Sequence, residues 1–340
     1  MSKKITIKEI AEMAGVSKTT VSFYLNGKDS KMSKETRKRI EKAIADTGYK
    51  PSIVARTLNS KGSKLMGVII GDITNAFSNQ IVKGIEDVAN KSGYQIIVGN
   101  SNYDSNYEGT YIERMLSMGV DGFIVQPTSQ FRRHSNRLAE LNKPTVFFDS
   151  EIYDNKSSWV KTNNYDATYD ATKETLTMGY ERFLLITADP SLLSTRMERA
   201  KGFIDALGDS NIEYEKLIIE DYDTDSNVEK IRKFILSHVN KEIRTMIFVP
   251  NCWALPAVFV VLKEQFKEYQ EYIGLLGFDN TEWTNLSSPS VSTIVQPAFQ
   301  EGQQAATILI DQIESRNEIN HQQVLSCNVS WNESTQFNNK

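Results

Sequence analysis

The segment from residue 5 to residue 25 restricts the fold most, because it predicts two short helices joined by a tight turn. In this segment, ITIKEIAEMAGVSKTTVSFYL, Thr6 is a candidate N-cap and Glu9 is placed to complete a capping box. Gly15 ends the first helix in a left-handed conformation, and Ser17 begins the second. Helices joined in this way form the helix-turn-helix unit, whose second helix lies in the major groove of DNA. The alternative is an ordinary helical hairpin within a larger fold.

The distribution of charge along the chain favours the first interpretation. Residues 1–64 carry 15 lysines and arginines against 6 aspartates and glutamates, a net charge of +9. Residues 65–340 carry a net charge of −13. A basic head on an acidic body is what a phosphate-contacting domain attached to a ligand-binding body requires. Since the basic region coincides with the predicted helix pair, the charge asymmetry indicates DNA binding.

Two further helices are predicted before the body begins. Ser33 is placed to cap a third helix with one apolar face, and Gly48 ends it. Pro51 prevents that helix from continuing, and Ser52 can cap a fourth one. The fourth helix is too short to be stable in isolation, so we expect it to form only when it is docked on another surface.

The rest of the chain alternates short apolar strands with amphipathic helices. This pattern is typical of parallel sheets that are covered by helices on both faces. Such sheets bind ligands outside the carboxyl ends of their strands, so the side chains that follow each strand are candidate site residues. The predicted strands cover residues 65–70, 94–98, 122–125, 144–148, 183–186, 245–249 and 273–278.

Many of the side chains that follow the predicted strands are amides and carboxylates. Sugar hydroxyls require paired hydrogen-bond donors and acceptors, so such groups beside an aromatic wall suit a polyhydroxylated ligand. The sequence therefore predicts a sugar site at the strand ends. The residues concerned are Asp72 to Asn79, Asn100, Gln126, Asp149, Asn251, Asp279 and Gln296.

The patterns of other function classes do not occur in the sequence. There is no Gly-rich phosphate loop, GxSxG elbow or HExxH motif, so we expect neither an enzyme nor a cofactor. Cys252, Cys327 and the three histidines are scattered, which predicts neither a disulfide framework nor a metal site. No apolar run is long enough to span a bilayer, and the first residues lack a signal-peptide hydrophobic region. We therefore expect a cytoplasmic protein with no membrane partner.

Four motifs, AGVSKTTVS, TRKRIEKAI, GYKPSIVARTL and GFDN, occur in this order along the chain. Together they resemble the LacI/GalR family of bacterial transcription regulators, and the similarity continues to residues 334–335. The resemblance implies an α/β fold with a three-helix helix-turn-helix headpiece, a hinge helix, and a two-lobed body like that of periplasmic binding proteins, with two parallel sheets. The implied bounds are 1–50 for the headpiece, 51–64 for the hinge helix and linker, and 65–340 for the body, in which lobe 1 covers about 65–161 and 293–320 and lobe 2 covers about 162–292 and 321–340.

The resemblance also assigns DNA contacts to two segments. The family reads bases chiefly from positions held here by Lys18, Thr19 and Phe23, although many members have arginine at the third position. The Phe23 ring can contact only a thymine methyl group or a sugar; alternatively, it folds onto the headpiece surface. Hinge helices of a dimer enter the minor groove with a leucine wedge, here Leu58. The DNA-binding candidates are Thr6, Ser17, Lys18, Thr19, Ser22, Phe23, Asn26, Ser52, Ala55, Arg56 and Leu58.

By the same resemblance, a small-molecule effector binds in the cleft between the lobes. Arg196 lies one turn before Arg199, and paired guanidinium groups suit a carboxylate or phosphate, which favours an acidic sugar over a neutral one. The alternative for Arg196 is a surface ion pair. The stretches NCWALP and GFDNTEW resemble a subgroup that represses 2-keto-3-deoxygluconate and related hexuronate catabolism. The effector-binding candidates are Phe77, Asn79, Gln126, Asp149, Arg196, Arg199, Tyr222, Asn251, Asp279 and Gln296.

The function implied by the resemblance is repression of carbohydrate catabolism by a homodimer on double-stranded operator DNA. The last residues, STQFNNK, lack the leucine heptads of a tetramerising coiled coil, which is why we expect a dimer. Two alternatives remain. The body alone suggests a solute-binding protein of a transport system, against which stand the missing signal peptide and the basic headpiece. Some relatives instead sense a phosphorylated carrier protein on the body surface.

Overall fold

A computed structural model describes residues 5–25, 31–49, 62–151, 157–220, 224–265, 269–315 and 321–336. The chain divides into two compact units, residues 1–63 and 64–340, which we call the headpiece and the body. The predicted hinge helix lies outside the described residues, and so do the candidates Asn26, Ser52, Ala55, Arg56, Leu58 and Tyr222.

Three helices of the headpiece pack around a small apolar core within the described residues. Each helix contributes because one of its faces carries apolar side chains at helical spacing. The helices are α1 (Ile7–Ala14), α2 (Lys18–Leu25) and α3 (Lys34–Thr47). The buried core residues are Ile10, Ala11, Ala14, Val21, Ile40 and Ala43.

The caps predicted for these helices are confirmed. The Thr6 backbone N–H donates to the Glu9 carboxylate at 2.7 Å, and the Glu9 N–H donates to Thr6 Oγ1 at 3.4 Å. Gly15 ends α1 at φ = 62°, a conformation that glycine adopts without steric cost. Ser17 and Ser33 each accept a backbone N–H from three residues later, at 3.1 Å. Removal of such a cap typically costs about 0.5–2 kcal/mol, so these short side chains fix where the helices begin.

The body is built on two six-stranded sheets, one in each lobe. All seven predicted strands are present, with ends that differ by a few residues. The strands are β1 (Leu65–Ile70), β2 (Gln95–Asn100), β3 (Gly122–Val125), β4 (Thr145–Phe148), β5 (Ser158–Thr162), β6 (Arg182–Ala188), β7 (Tyr214–Ile219), β8 (Thr245–Val249), β9 (Ile273–Phe278), β10 (Ser292–Val295), β11 (Gln322–Leu325) and β12 (Asn328–Ser330). The helices are α4 (Ala76–Lys91), α5 (Ser105–Ser117), α6 (Arg132–Glu140), α7 (Asn164–Thr177), α8 (Ser194–Gly208), α9 (Thr224–His238), α10 (Leu255–Gln265), α11 (Trp283–Leu286) and α12 (Ala298–Ser315).

The first sheet, in lobe 1, has the strand order β11-β5-β4-β3-β1-β2, and every neighbouring pair is parallel. The second sheet, in lobe 2, has the order β12-β10-β9-β8-β6-β7. It is parallel except for β12, which runs antiparallel to β10. The central strands β1 and β9 are buried along their whole length, which explains why they read as apolar runs. No described helix combines the length and apolar character that crossing a membrane requires.

The chain crosses between the lobes at places that differ from the expected boundaries. β10 pairs with β9, so lobe 2 extends to residue 295 instead of ending at 292. β11 pairs with β5, which places residues 322–325 in lobe 1 although they were expected in lobe 2. β12 then returns the chain to lobe 2. The apolar runs in the sequence did not predict β11 and β12, because these two edge strands are short, half-exposed and contain polar residues.

Lobe 1 depends on a close contact between α4 and α12. A Cβ atom on Gly84 would lie 2.1 Å from the Phe299 carbonyl oxygen. A Cβ atom on Gly302 would lie 2.2 Å from the Ile81 carbonyl oxygen. Both obstacles are backbone atoms, so the two helices approach this closely only because both positions are glycine.

Gly84→Ala should therefore destabilise the body. The added methyl group forces α4 and α12 apart, at a cost of about 1–3 kcal/mol, which urea denaturation measures. Gly208→Ala in α8 is the matched control, because a Cβ atom there meets no atom within 4 Å. Equal urea midpoints of unfolding for Gly84→Ala and Gly208→Ala would contradict the close contact between α4 and α12.

Candidate nucleic-acid interface and interlobe cavity

The first turn of α2 exposes two of the predicted base-reading residues. Lys18 and Thr19 are exposed, whereas Val21 is buried in the headpiece core and Ser22 is half-buried. A helix that packs one face on the core and leaves its start in solvent can enter a groove with its outer face. Lysine donates to guanine O6 or N7, and threonine bonds a base edge or contacts a thymine methyl group.

Phe23, by contrast, is half-buried on the headpiece surface. Lys31 Nζ lies 5.0 Å from the centroid of its ring, within the range of a cation–π contact. This arrangement corresponds to the alternative in which the ring packs against its own domain.

The predicted hydroxyl contacts, Thr6 and Ser17, both serve as helix caps, since they bond Glu9 and Thr20 respectively.

A cavity of about 300 Å³ lies between the two lobes, at the carboxyl ends of the strands. Its lobe 1 wall follows β1, β3 and β4, and its lobe 2 wall follows β8, β9 and β10 and includes the start of α8. This is where parallel sheets bind ligands. The structure brings eight predicted residues together around the cavity: Phe77, Gln126, Asp149, Arg196, Arg199, Asn251, Asp279 and Gln296.

Asn79 is not among the residues around the cavity. It is exposed on α4, two residues beyond Phe77, and a two-residue step turns a helix by about 200°. The side chains of Phe77 and Asn79 therefore project in nearly opposite directions, and the structure does not place Asn79 at this cavity. Asn75 lines the cavity instead, and its carboxamide accepts the Phe77 N–H at 2.9 Å as the cap of α4.

Four aromatic residues that line the cavity are not among the candidates predicted from the sequence: Tyr103, Trp253, Phe278 and Trp283. Tyr103 has φ = 56°, in the left-handed region that tyrosine rarely adopts. Its ring packs on Gly71, where a Cβ atom would lie 2.2 Å from it. Trp283, at the start of α11, lines the lobe 2 side. Gly71, which follows β1, is the sequence feature that could have predicted the Tyr103 contact, because a glycine at a strand end permits close approach of another group.

Asp149 is held in the lobe 1 wall by a relay of hydrogen bonds. Gln126 Nε2 donates to Asp149 Oδ2 at 2.7 Å, and Gln126 Oε1 accepts the Gly71 N–H at 2.8 Å. The other carboxylate oxygen, Asp149 Oδ1, is buried and has no hydrogen-bond partner among the described residues. Burial raises the pKa of Asp149, while the positive charge of Arg199 opposes that rise.

Asp279 occupies the corresponding place in the lobe 2 wall. Its Oδ1 accepts the Thr281 N–H at 2.7 Å. Its Oδ2 is buried and, within the described part of the chain, has no hydrogen-bond partner. Burial raises the pKa of Asp279, against the effect of the hydrogen bonds from Thr281. Each lobe thus presents one buried carboxylate oxygen that accepts no hydrogen bond of standard geometry, while the side chains of Gln296 and Trp283 lie near enough to Asp149 and Asp279 respectively to lower their pKa values.

Glu301 supports Asp149 from the side away from the cavity. Its Oε1 accepts the Asp149 backbone N–H at 2.7 Å, and its side chain is fully buried in α12. Burial, together with the nearby Asp149 charge, raises the pKa of Glu301 well above its ordinary value. The hydrogen bond from the Asp149 N–H and the positive charge of Arg199 oppose this rise, so burial is the main reason why Glu301 favours its protonated form.

Arg199 stands between the strand ends of lobe 2. Its Nε donates to Asn164 Oδ1 at 2.7 Å and its Nη1 to the Pro250 carbonyl at 3.0 Å. Its Nη2 donates to Gln296 Oε1 at 3.1 Å, and the guanidinium carbon lies 3.7 Å from the centroid of the Phe278 ring. These contacts use three of the five N–H donors of the group. The guanidinium plane is therefore fixed before any ligand arrives.

Arg196 is only 7% exposed and lines the same cavity. Hydrogen bonds from Ser191 lower the pKa of Asp189 and the positive charge of Arg196 adds to that effect, so an interaction with an acidic neighbour stays the alternative for Arg196. The two amides on the lobe 2 side connect strand ends as well as lining the cavity. Asn251 Oδ1 accepts the Ala188 N–H at 2.9 Å, and Gln296 Nε2 donates to Thr162 Oγ1 at 2.8 Å.

Polar contacts join the lobes at the edges of the cavity. Lys161 Nζ of β5 lies 2.7 Å from the Glu151 carboxylate in lobe 1 and 3.0 Å from the Glu198 carboxylate on α8. On another edge, Gln80 of α4 exchanges two hydrogen bonds of 3.3 Å with Asn280. These contacts hold the present arrangement of the lobes and would have to change if the lobes moved.

Glu301→Gln should reduce the pH dependence of stability. A carboxyl group whose pKa is raised on folding contributes stability that is complete below its unfolded pKa, ordinarily 4.5, and lost as the pH rises through its folded pKa. Glutamine keeps the shape and the neutral state. Between about pH 5 and about pH 7, the urea midpoint should therefore fall less for the variant than for the unmodified protein.

Glu140→Gln, at an exposed position of α6, is the control for this comparison and should keep the original pH dependence. If Glu301→Gln also keeps the original pH dependence, then folding does not raise the pKa of Glu301.

Comparison with known proteins finds relatives along the whole chain. Residues 6–52 match the family described as bacterial regulatory proteins, lacI family, and residues 66–317 match the periplasmic binding protein domain. The transcriptional regulator KdgR of Bacillus subtilis (strain 168) is 33% identical over 312 residues, which cover 91% of each protein. The probable regulator EndR of Paenibacillus polymyxa is 31% identical over 317 residues, which cover 92% of each protein.

Solved structures share the same fold. The crystal structure of the lac repressor dimer bound to operator and the anti-inducer ONPF matches with a TM-score of 0.83 and 25% identity. The match covers 98% of this chain and 99% of that one. A transcriptional regulator CelR–cellobiose complex matches with a TM-score of 0.70 at 20% identity, over 97% of this chain and 99% of that one.

Proposed function

Because the chain belongs to the lacI family of bacterial regulatory proteins and is therefore a DNA-binding transcriptional regulator, we propose that it is a repressor controlled by a sugar acid. The sugar acid binds in the interlobe cavity, and the regulated genes serve carbohydrate catabolism. The regulator acts in the cytoplasm, where its operator DNA lies. The headpiece supplies the DNA contacts, and the body supplies the control.

One observation carries the choice of ligand: both lobes place an unsatisfied carboxylate oxygen at the same cavity. Asp149 Oδ1 and Asp279 Oδ2 are buried acceptors that accept no hydrogen bond of standard geometry from the described residues. A buried acceptor without a partner costs about 1–3 kcal/mol. A ligand with several hydroxyl groups supplies donors to both carboxylates at once. Its affinity is therefore highest for the arrangement in which the two lobes face each other across it.

The arginines favour a ligand that is also acidic. Two guanidinium groups, Arg196 and Arg199, line the cavity with the two carboxylates. Arg199 keeps two N–H donors that no described residue uses, and a carboxylate accepts such donors in a fork geometry. The aromatic rings of Tyr103, Trp253 and Trp283 provide flat apolar surfaces beside these polar groups.

The proposed control follows from the contacts that join the lobes. A ligand that binds Asp149 in lobe 1 and Asp279 in lobe 2 favours one relative orientation of the lobes over the others. In a homodimer that orientation sets the spacing of the two headpieces on a near-palindromic operator. We propose that the sugar-bound orientation releases the operator, so that the ligand is an inducer.

Asp279→Asn tests this function. The substitution keeps the size of the side chain and removes its charge, which weakens a hydrogen bond from a ligand hydroxyl by about 1.5–3 kcal/mol, or roughly 10- to 150-fold in affinity. Calorimetric titration should show that affinity loss for the tightest binder among 2-keto-3-deoxygluconate, galacturonate and galactose. Operator binding without sugar should be unchanged, measured on a fragment of the upstream DNA of the gene itself.

Asp170→Asn makes the same change at an exposed position of α7 and should leave both kinds of binding unaltered. Loss of operator binding together with sugar binding in Asp279→Asn would contradict the separation of headpiece and cavity. An unchanged sugar affinity would contradict the role of the carboxylate.

A further inference from the structure

A second cavity, of about 500 Å³, adjoins the cavity described above. We call it the outer cavity and the first one the inner cavity; Tyr103, Leu193 and Arg196 line both. The other walls of the outer cavity are residues 102–106 and 128–130 of lobe 1 and Leu192 of lobe 2. Ligand pockets in proteins have volumes of about 300–1,000 Å³, so each cavity has room for a ligand group.

The outer cavity has the chemistry of a carbohydrate site. On its lobe 1 side, Asn102, Asn106, Ser129 and Gln130 are exposed hydroxyl and carboxamide side chains, and Asp104 adds one carboxylate, whose Oδ1 accepts the Asn106 N–H at 2.7 Å. The neutral groups both donate and accept hydrogen bonds, as sugar hydroxyls do. On the lobe 2 side, Leu192 is 55% exposed and offers an apolar surface to the C–H face of a sugar ring.

The lobe 1 walls of the outer cavity are fixed by groups behind them. Glu108 is fully buried and accepts both the Thr128 N–H and the Thr128 hydroxyl at 2.9 Å. His134 Nε2 lies 2.9 Å from the Ser105 carbonyl oxygen, and Arg133 donates to Ser105 Oγ at 3.1 Å. Because the walls are already ordered, a ligand loses little affinity to ordering them.

The partition between the cavities is a strained turn. Asn102 and Tyr103 have φ values of 50° and 56°, so two consecutive residues that are not glycine adopt the left-handed conformation. Strained backbone persists where the surrounding structure enforces it, and it clusters at binding sites. Here it places the Tyr103 ring on Gly71, and Tyr103 lines both cavities.

We propose that the outer cavity is a second sugar subsite, so that the effector is an acidic disaccharide. This rests on the function proposed above. The first sugar unit donates its hydroxyls to Asp149 and Asp279 in the inner cavity. Arg196, which lines both cavities, binds the carboxylate near the glycosidic link, and the second unit lies in the outer cavity. Because both cavities have walls from both lobes, a disaccharide contacts the lobes over a longer interface than a monosaccharide does.

The test compares acidic disaccharides with their single units in calorimetric titrations of the full-length protein. The probes are galacturonate, 4-linked digalacturonate, glucuronate and cellobiuronate. The tightest disaccharide should bind at least about tenfold more tightly than either monosaccharide. Ser129→Trp fills the outer cavity from an exposed position, so it should remove that advantage and leave monosaccharide affinity within about twofold. Asn106→Trp, from another part of the wall, should do the same.

Ser117→Trp is the control, since this exposed residue of α5 lines neither cavity. Disaccharides that bind no more tightly than their units, or tryptophan variants that weaken both classes equally, would contradict the second subsite and leave the proposed function standing. Binding of no sugar at all would contradict the proposed function and, with it, this inference.

Discussion

The guanidinium group of Arg199 is the constraint on which the cavity depends. It hydrogen-bonds the start of α7, the residue after β8 and the residue after β10, and it stacks on the last residue of β9. Those contacts come from four elements of lobe 2 that are far apart in sequence. A planar group with fixed donors holds their ends in one arrangement. The same charge also opposes the rise in the pKa of Asp149 that burial causes, across the cavity in lobe 1.

The buried carboxyl groups Glu301 and Asp149 have different roles in this arrangement. Glu301 and Asp149 are both buried and adjacent, so two negative charges there would repel each other at high cost. The Asp149 N–H donates to Glu301 and so positions the loop that carries Asp149, and burial beside Asp149 favours the protonated form of Glu301. The two lobes each contribute one of these carboxylate oxygens to the cavity, which is the site that we propose for a polyhydroxylated ligand. Control of the headpiece by that ligand needs no chemistry beyond its different affinity for two lobe orientations.

The sequence predicted much of this because the signals were local. Apolar runs located the central strands, and the rule that ligands bind at strand ends identified residues such as Asp149 and Asp279. Other features were not predictable in this way. Glu301 lies in the first turn of α12, 152 residues from the backbone group it accepts. Tyr103 reaches the cavity only through a left-handed turn, and β11 is a polar edge strand whose partner is set by tertiary packing.

The most direct measurement is the fluorescence anisotropy of the full-length protein on a labelled operator fragment, titrated at two salt concentrations with and without acidic and neutral sugars. We predict tight binding that weakens steeply with salt, as phosphate contacts require, and release by an acidic sugar but not by a neutral one. Operator binding that no sugar changes would contradict control through the cavity. Absence of operator binding with sugar affinity retained would contradict the regulator itself and favour a solute-binding protein.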